Sequence, residues 1–161
     1  MAWTGGRRGA AVLAAAAAIA YLLDRLTKVW VEGSLQGRPA TRVIPGVLDL
    51  RFTTNSGGAF SIGQRAPWLF AAATIAVSTA IVVTAFRHTS LLTAAALGLV
   101  LGGALGNLTD RVVRGAHLDG RVIDFIDLHV WPVFNVADSA IVVGAALLAL
   151  TAFRRAGRSD G

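Results

Sequence analysis

Residues 91–111 read LLTAAALGLVLGGALGNLTDR. Through Leu108 the stretch carries no charge, and it approaches the roughly 20 apolar residues that a helix needs to cross a bilayer, where every backbone polar group must be satisfied within the segment. Gly98, Gly102 and Gly106 recur every fourth residue. They lay a groove of small residues along one helix face, where another helix can pack closely. Toward the far end Gly103, Asn107 and Arg111, also spaced by four, share a face that offers amide and guanidinium donors. An apolar helix with polar groups at one end points to a membrane bundle with its chemistry at that end.

Three more apolar runs surround it. The first covers residues 9–31, although its uncharged part stops at Leu23 and Asp24, Arg25 and Lys28 follow. The second, 67–86, is uncharged and closed by Arg87 and His88; the fourth, 133–153, holds one acid, Asp138, near its start. Arg7 and Arg8 ahead of the first run imitate a secretory signal, but three further runs favour a retained span. A 161-residue chain that is 55% hydrophobic and only 15% charged is too apolar for a water-soluble fold of this size. The expected architecture is an all-α integral membrane protein, a four-transmembrane-helix bundle forming a single domain over residues 1–161. Trp30, Trp68 and Trp131 lie near span ends on one side, where indole rings favour the lipid interface.

Two polar connections, 32–66 and 109–132, lie opposite the termini. In the first, Leu48, Leu50 and Phe52 alternate with Asp49, Arg51 and Thr53, which predicts a short strand with one apolar face. An Asn55-Ser56-Gly57-Gly58 turn follows. The expectation is a small extracytoplasmic β-element on the membrane surface. Lys and Arg counts do not orient the bundle: Arg7, Arg8, Arg87, Arg154, Arg155 and Arg158 lie on the terminal side, the other nine on the loop side. Eight of the nine acids also fall on the loop side, and Arg7 with Arg8 directly precedes the first span. Cytoplasmic termini are therefore expected.

The net charge of +6 comes from scattered residues without a basic stripe and interleaved aromatics, so lipid headgroups, not nucleic acid, are the partner it implies. Without cysteine there is no disulfide, thiolate zinc site or cysteine nucleophile. His88, His117 and His129 form no tight metal-ligand spacing, and Ser56, Ser61 and Ser139 lack a Ser-x-x-Lys partner or nucleophile elbow. What remains is carboxylate. Asp24, Asp110, Asp124, Asp127 and Asp138 all fall at or near loop-side span ends, and ionised groups within a membrane are costly enough to mark function. Two carboxyl groups a few ångströms apart share a proton and can activate water, one taking a proton while the other donates. Asn135 and Asp138, three apart, point the same way and can face Asn107 and Arg111 across a cleft.

Five blocks then bear on identity: Asp24-x-x-x-Lys28, residues 55–61 (NSGGAFS), 102–111 (GGALGNLTDR), 122–127 (VIDFID) and 134–139 (FNVADS). In this order and within four spans, the chain resembles the lipoprotein signal peptidases (signal peptidase II). The resemblance implies a metal-independent aspartic endopeptidase of the bacterial cytoplasmic membrane, without cofactor and expected as a monomer. Its site would lie near the outer face, where it cuts diacylglyceryl-modified prolipoproteins on the amino side of the lipidated cysteine. Carried over, the catalytic pair is Asp124 and Asp138; Asn55, Gly103, Asn107, Arg111, Asn135 and Ala137 match positions lining the site, and Asp24 and Lys28 a supporting pair. The strand-like stretch corresponds to a surface cradle, and the second connection to a loop or helix over the site. Residues 112–123 make a longer connection than the family's usual one, and Gly58 stands where alanine is common.

Plainer readings compete. Asp138 can be a structural partner of Arg111, Asp124 a solvated loop acid, and Asn55 a turn residue. Asp110 beside Arg111 reads as a helix-end pair, and Asp24 with Lys28 as an ion pair at the interface. The glycine stripe is packing, and the terminal arginines are anchors. The rival function is a small transporter or proton-coupled carrier, whose carboxylates should spread through the membrane depth, whereas here they cluster at one end.

Overall fold

A computed structural model describes residues 4–56, 67–85, 90–116 and 118–159. Four helices and a small sheet alternate in the order α1 (Thr4–Leu35), β1 (Thr41–Ile44), β2 (Leu48–Asn55), α2 (Pro67–Thr84), α3 (Leu91–Val113), β3 (Val122–Asp127) and α4 (Val136–Ser159). Gly57, Gly58, Ser61, Arg87, His88 and His117 lie outside the described residues. Three helices have segments long and apolar enough to cross a membrane: Gly6–Leu35, Leu91–Val113 and Val136–Arg154. The apolar stretch found in α2, Ala71–Thr84, is shorter. The chain is thus a multi-pass membrane protein, mostly helical with a small antiparallel sheet.

α3 is the hub, packed against α1, α2 and α4. The glycine stripe explains how. A side chain at Gly98 would strike Leu13 and Ala16 of α1, and one at Gly102 would strike Ala17 and Ala20. Leu13 and Ala17 would be met at their backbone carbonyls and Ala16 and Ala20 at Cβ, so α1 and α3 touch more closely than any larger residue would permit. On another face of α3, Gly103 meets the Ala137 carbonyl of α4. Lipid supplies no hydrophobic drive between helices, so close packing of this kind holds them together. Leu13, Ala17, Ile81, Ala85, Ala94 and Leu101 form the apolar cluster within the bundle.

The helices run beyond the apolar stretches, and charges near their ends are paired inside. α1 continues past Asp24, Arg25 and Lys28 to Leu35, and α3 past Leu108 to Val113. α4 begins at Val136 and not at residue 133, since Phe134 forms a bridge with Ile126.

The strand expected near Leu48 is β2, the middle of a three-stranded antiparallel sheet ordered β1-β2-β3. It extends through Asn55, so Asn55 is the last residue of a strand. Two strands were not expected. β1 is exposed throughout, and β3 arises from the second polar connection, pairing Thr53 with Asp124 and Asn55 with Val122. That connection therefore builds the sheet; among its described residues there is no helix over the site. Val31, Leu35, Ile123 and Phe125 form a second buried cluster that ties the sheet to the end of α1. Trp30, Trp68 and Trp131 are all exposed.

Candidate active site

The first turn of α4 organises the site. A helix N-terminus leaves backbone N–H groups without partners, and here side chains supply them. Asn135 is the cap: its Oδ1 accepts from the Asp138 N–H at 2.8 Å, while Asp138 Oδ2 accepts from the Asn135 N–H at 3.3 Å. This reciprocal pair is a capping box with Asp in the third position. A third N–H, that of Ala137, donates to Asp24 Oδ1 of α1 at 3.0 Å.

Asn135 reaches both carboxyl groups. Its Nδ2 donates to Asp124 Oδ1 at 2.7 Å and lies 3.2 Å from the Ile123 carbonyl and from Asn107 Oδ1. Asn107 Nδ2 donates to Asp138 Oδ1 at 2.8 Å, so the donor faces of α3 and α4 meet. The Asn55 side chain, arriving on β2, also bonds Asp124. Asp124 is buried. Burial, and next the neighbouring charge of Asp138, push its carboxyl up to about 7. A group poised there holds or releases a proton at neutral pH.

Behind the two acids lies a buried ionic cluster. Lys28 is fully buried, with Nζ 2.9 Å from Asp24 Oδ2, 2.9 Å from Asp110 Oδ2 and 2.9 Å from Asn107 Oδ1. Asp110 also pairs with Arg25 at 2.5 Å and accepts the Ile123 N–H at 3.2 Å, one residue before Asp124. The sequence reading paired Asp110 with Arg111. Successive helix residues point in different directions, and Asp110's partners are instead Arg25, Lys28 and Arg114. Likewise Asp24 and Lys28 form their ion pair in the interior, not at the interface.

In front opens a cleft of about 350 Å³. Asn55, Asn107, Arg111, Asp124 and Asp138 line its polar side; Trp131, Pro132, Val133, Phe134, Ile141 and Val142 its apolar side, with Thr74 arriving from α2. Arg111 Nη1 lies 3.4 Å from the carbonyls of Ser56 and Gly120. Gly103, Asn135, Ala137, Asp24 and Lys28 do not line the cleft. Gly103 and Ala137 pack α3 on α4 beneath it, and the other three hold the groups that do. Sequence reasoning missed the apolar wall and the part of Asp110 in holding β3. For Asp110 the available signal was a second acid at a span end with cations one bundle helix away. Among the described residues no three His, Asp or Glu side chains are grouped to hold a metal ion.

A multi-pass helical membrane protein with a carboxylate-lined cleft at one end of its bundle has the make-up of a membrane-embedded enzyme. Residues 16–154 match the family described as Signal peptidase (SPase) II, and the chain belongs to that family. It is 45% identical over 131 residues to the lipoprotein signal peptidase of Syntrophomonas wolfei, covering 81% of this chain and 85% of that one. The lipoprotein signal peptidase of Streptomyces coelicolor is 43% identical over 152 residues, 94% of this chain and 74% of that one. A solved chain described as a bacterial membrane enzyme superimposes with a TM-score of 0.76 at 28% identity, over 89% of this chain and 88% of the other. A second such chain gives 0.70 at 29% identity, over 84% and 88%. The family indicates a protease. Nothing in these comparisons supports a carrier.

Proposed function

We propose that this chain removes signal peptides from diacylglyceryl-modified prolipoproteins, cutting on the amino side of the lipidated cysteine, as an aspartic endopeptidase that needs no metal. Asp124 and Asp138 are the catalytic pair. The observation that carries this reading is that one residue, Asn135, bonds both acids, Asp124 through its side-chain amide and Asp138 through its backbone N–H, at the edge of a cleft that the same two acids line. Water held between them would lose a proton to one carboxylate while the other carboxylic acid donates to the scissile carbonyl. Arg111, Asn107 and Asn55 offer polar groups to the substrate backbone, and the wall from Trp131 to Phe134 faces its apolar part.

The whole chain acts as one membrane domain, a monomer. α2 is the fourth span: its 18 residues rise about 27 Å, close to the hydrocarbon thickness. The termini are cytoplasmic, the membrane is the bacterial cytoplasmic membrane, and the cleft lies near its outer face, where the sheet rests on the lipid surface.

The test uses protein purified in detergent with a lipidated preprolipoprotein. Asp124→Asn and Asp138→Asn are each expected to lose at least about 10²–10⁴-fold in kcat, and chelators to have no effect. Undiminished cleavage by either variant removes that residue from the pair. Reversible loss of activity on removing divalent ions would refute the metal-free mechanism.

A further inference from the structure

We propose that His129 is a positioning residue for substrate binding: its link to Asp49 holds in place the connection that forms the apolar wall of the cleft. This rests on the peptidase reading and adds to it a residue outside the cleft lining.

Between β3 and α4 the chain turns back on itself. Phe134 closes the base of this connection: its N–H donates to the Ile126 carbonyl at 3.1 Å, and its carbonyl accepts from the Phe125 and Ile126 N–H groups at 3.0 and 2.9 Å. Trp131, Pro132 and Val133, just before it, line the cleft. The reversal that sends them there is made at His129. The Val130 N–H donates to the Leu128 carbonyl at 2.7 Å, and His129 between them has a φ of 62°. This is a three-residue turn of the strained hand, in a backbone region that residues with side chains rarely adopt. Such a conformation persists only where its surroundings fix it.

Two carboxylates do the fixing. Asp49 of β2 and Asp127 of β3 stand opposite each other in the strand register, an arrangement that repels when both are ionised. Arg51 answers Asp127, Nε to Oδ2 at 2.6 Å. The His129 N–H donates to the other oxygen, Oδ1, at 2.9 Å, and this bond, ahead of Arg51, holds the Asp127 carboxyl below its usual range. The His129 ring answers Asp49, with Nε2 3.3 Å from Oδ2. Arg42 of β1 is the other register partner of Asp49. His129 is thus tied to both acids at once, by its backbone to one strand and by its ring to the next. Val130 is left 90% exposed, and the chain returns to the cleft directly after it.

Binding and chemistry are therefore held by different groups. Asp124 and Asp138 are fixed by Asn55, Asn107 and Asn135, and none of these bonds involves His129. The wall is another matter. With the ring link to Asp49 broken, the connection keeps its closed base but loses its tie to β2, and the strained turn is free to relax. The wall then stands in its binding position in only a fraction of molecules, and apparent affinity for the apolar part of the substrate falls by that fraction.

The test is cleavage of a lipidated preprolipoprotein by the full chain in detergent, with KM and kcat measured separately for Asp49→Asn, His129→Asn and the double variant. Asparagine tolerates a positive φ, so His129→Asn keeps the turn while its shorter side chain falls short of Asp49. Each single variant should raise KM about two- to fivefold, the range for losing one partly exposed pair, with kcat within about 1.5-fold of wild type. The double variant should raise KM no further than the singles, because both remove the same link. An unchanged KM in either single variant, single effects that multiply in the double variant, or a fall in kcat in place of the rise in KM overturns the proposal. Thermal unfolding of the same variants checks that each is folded, and the Asp49→Asn change, on a half-buried strand position, leaves the turn sequence intact. Failure here is separable from failure of the peptidase reading. If KM is unmoved while Asp124→Asn and Asp138→Asn are inactive, only the role of His129 is lost, whereas an active Asp124→Asn or Asp138→Asn sinks the dyad itself.

Discussion

Replacing Lys28 with methionine keeps the length of the side chain and deletes its charge, which makes it a sharp probe of the buried network. Lys28 is fully buried, and its ammonium lies 2.9 Å from an oxygen of Asp24 and 2.9 Å from one of Asp110. Without it, Asp110 retains Arg25 and the more distant Arg114, while the hydrogen bond left to Asp24 is the Ala137 N–H. Removing one member of a buried ion pair costs about 3–5 kcal/mol, because the remaining charge is left without a partner. At about 2–4 °C per kcal/mol for a chain of this size, Tm should fall by roughly 6–20 °C. Thermal unfolding in detergent, followed by tryptophan fluorescence, measures it. The double variant Lys28→Met/Asp24→Asn should regain part of the loss, since it removes the orphaned carboxylate. Activity should fall as well, because Asn107 would no longer be held with its NH₂ toward Asp138. A Tm change below about 2 °C would refute the reasoning, since it would mean that the cluster is hydrated and screened.

Two other perturbations follow from the same geometry. The Asp124 carboxyl is raised from 3.8 to about 7, so the folded state binds that proton more tightly than the unfolded chain does. Its contribution is full below about pH 4 and is lost as pH rises through 7, with an upper bound of roughly 4 kcal/mol; Asp124→Asn should flatten this part of the stability profile between pH 5 and 8 (values about spanning the group's window), as read by thermal unfolding. Gly102→Ile would drive a branched side chain into the Ala17 backbone of α1 and should cost at least about 3 kcal/mol, whereas Gly33→Ala, with open space around it, should stabilise α1 by about 0.5–1 kcal/mol. Equal behaviour of these two variants in the same unfolding assay would contradict close packing between α1 and α3.

What could be read from the chain alone divides along a physical line. Membrane helices announce themselves because length and apolarity are properties of a contiguous segment. The stripe at Gly98, Gly102 and Gly106 was equally legible, since a period of four is visible without knowing the partner helix. β3 was not. Val122, Ile123, Asp124 and Phe125 are all buried, so the strand has no solvent face and its sequence no alternation to reveal it. β1 fails for the reverse reason, being exposed throughout. How α1 carries Asp24, Arg25 and Lys28 was not legible, because the cost of a membrane charge depends on its partner, and Lys28 finds Asp110 across 82 residues of chain. Spacing did bring Asn135 and Asp138 to one side of a helix. It could not show that they cap each other, which depends on where the helix starts, nor that Asp24 from another helix takes the N–H between them. Segment-local features are written in the sequence, whereas the groups that hold Asp124 and Asp138 in place come from α3, α4 and the sheet, and exist as a set only once the chain has folded.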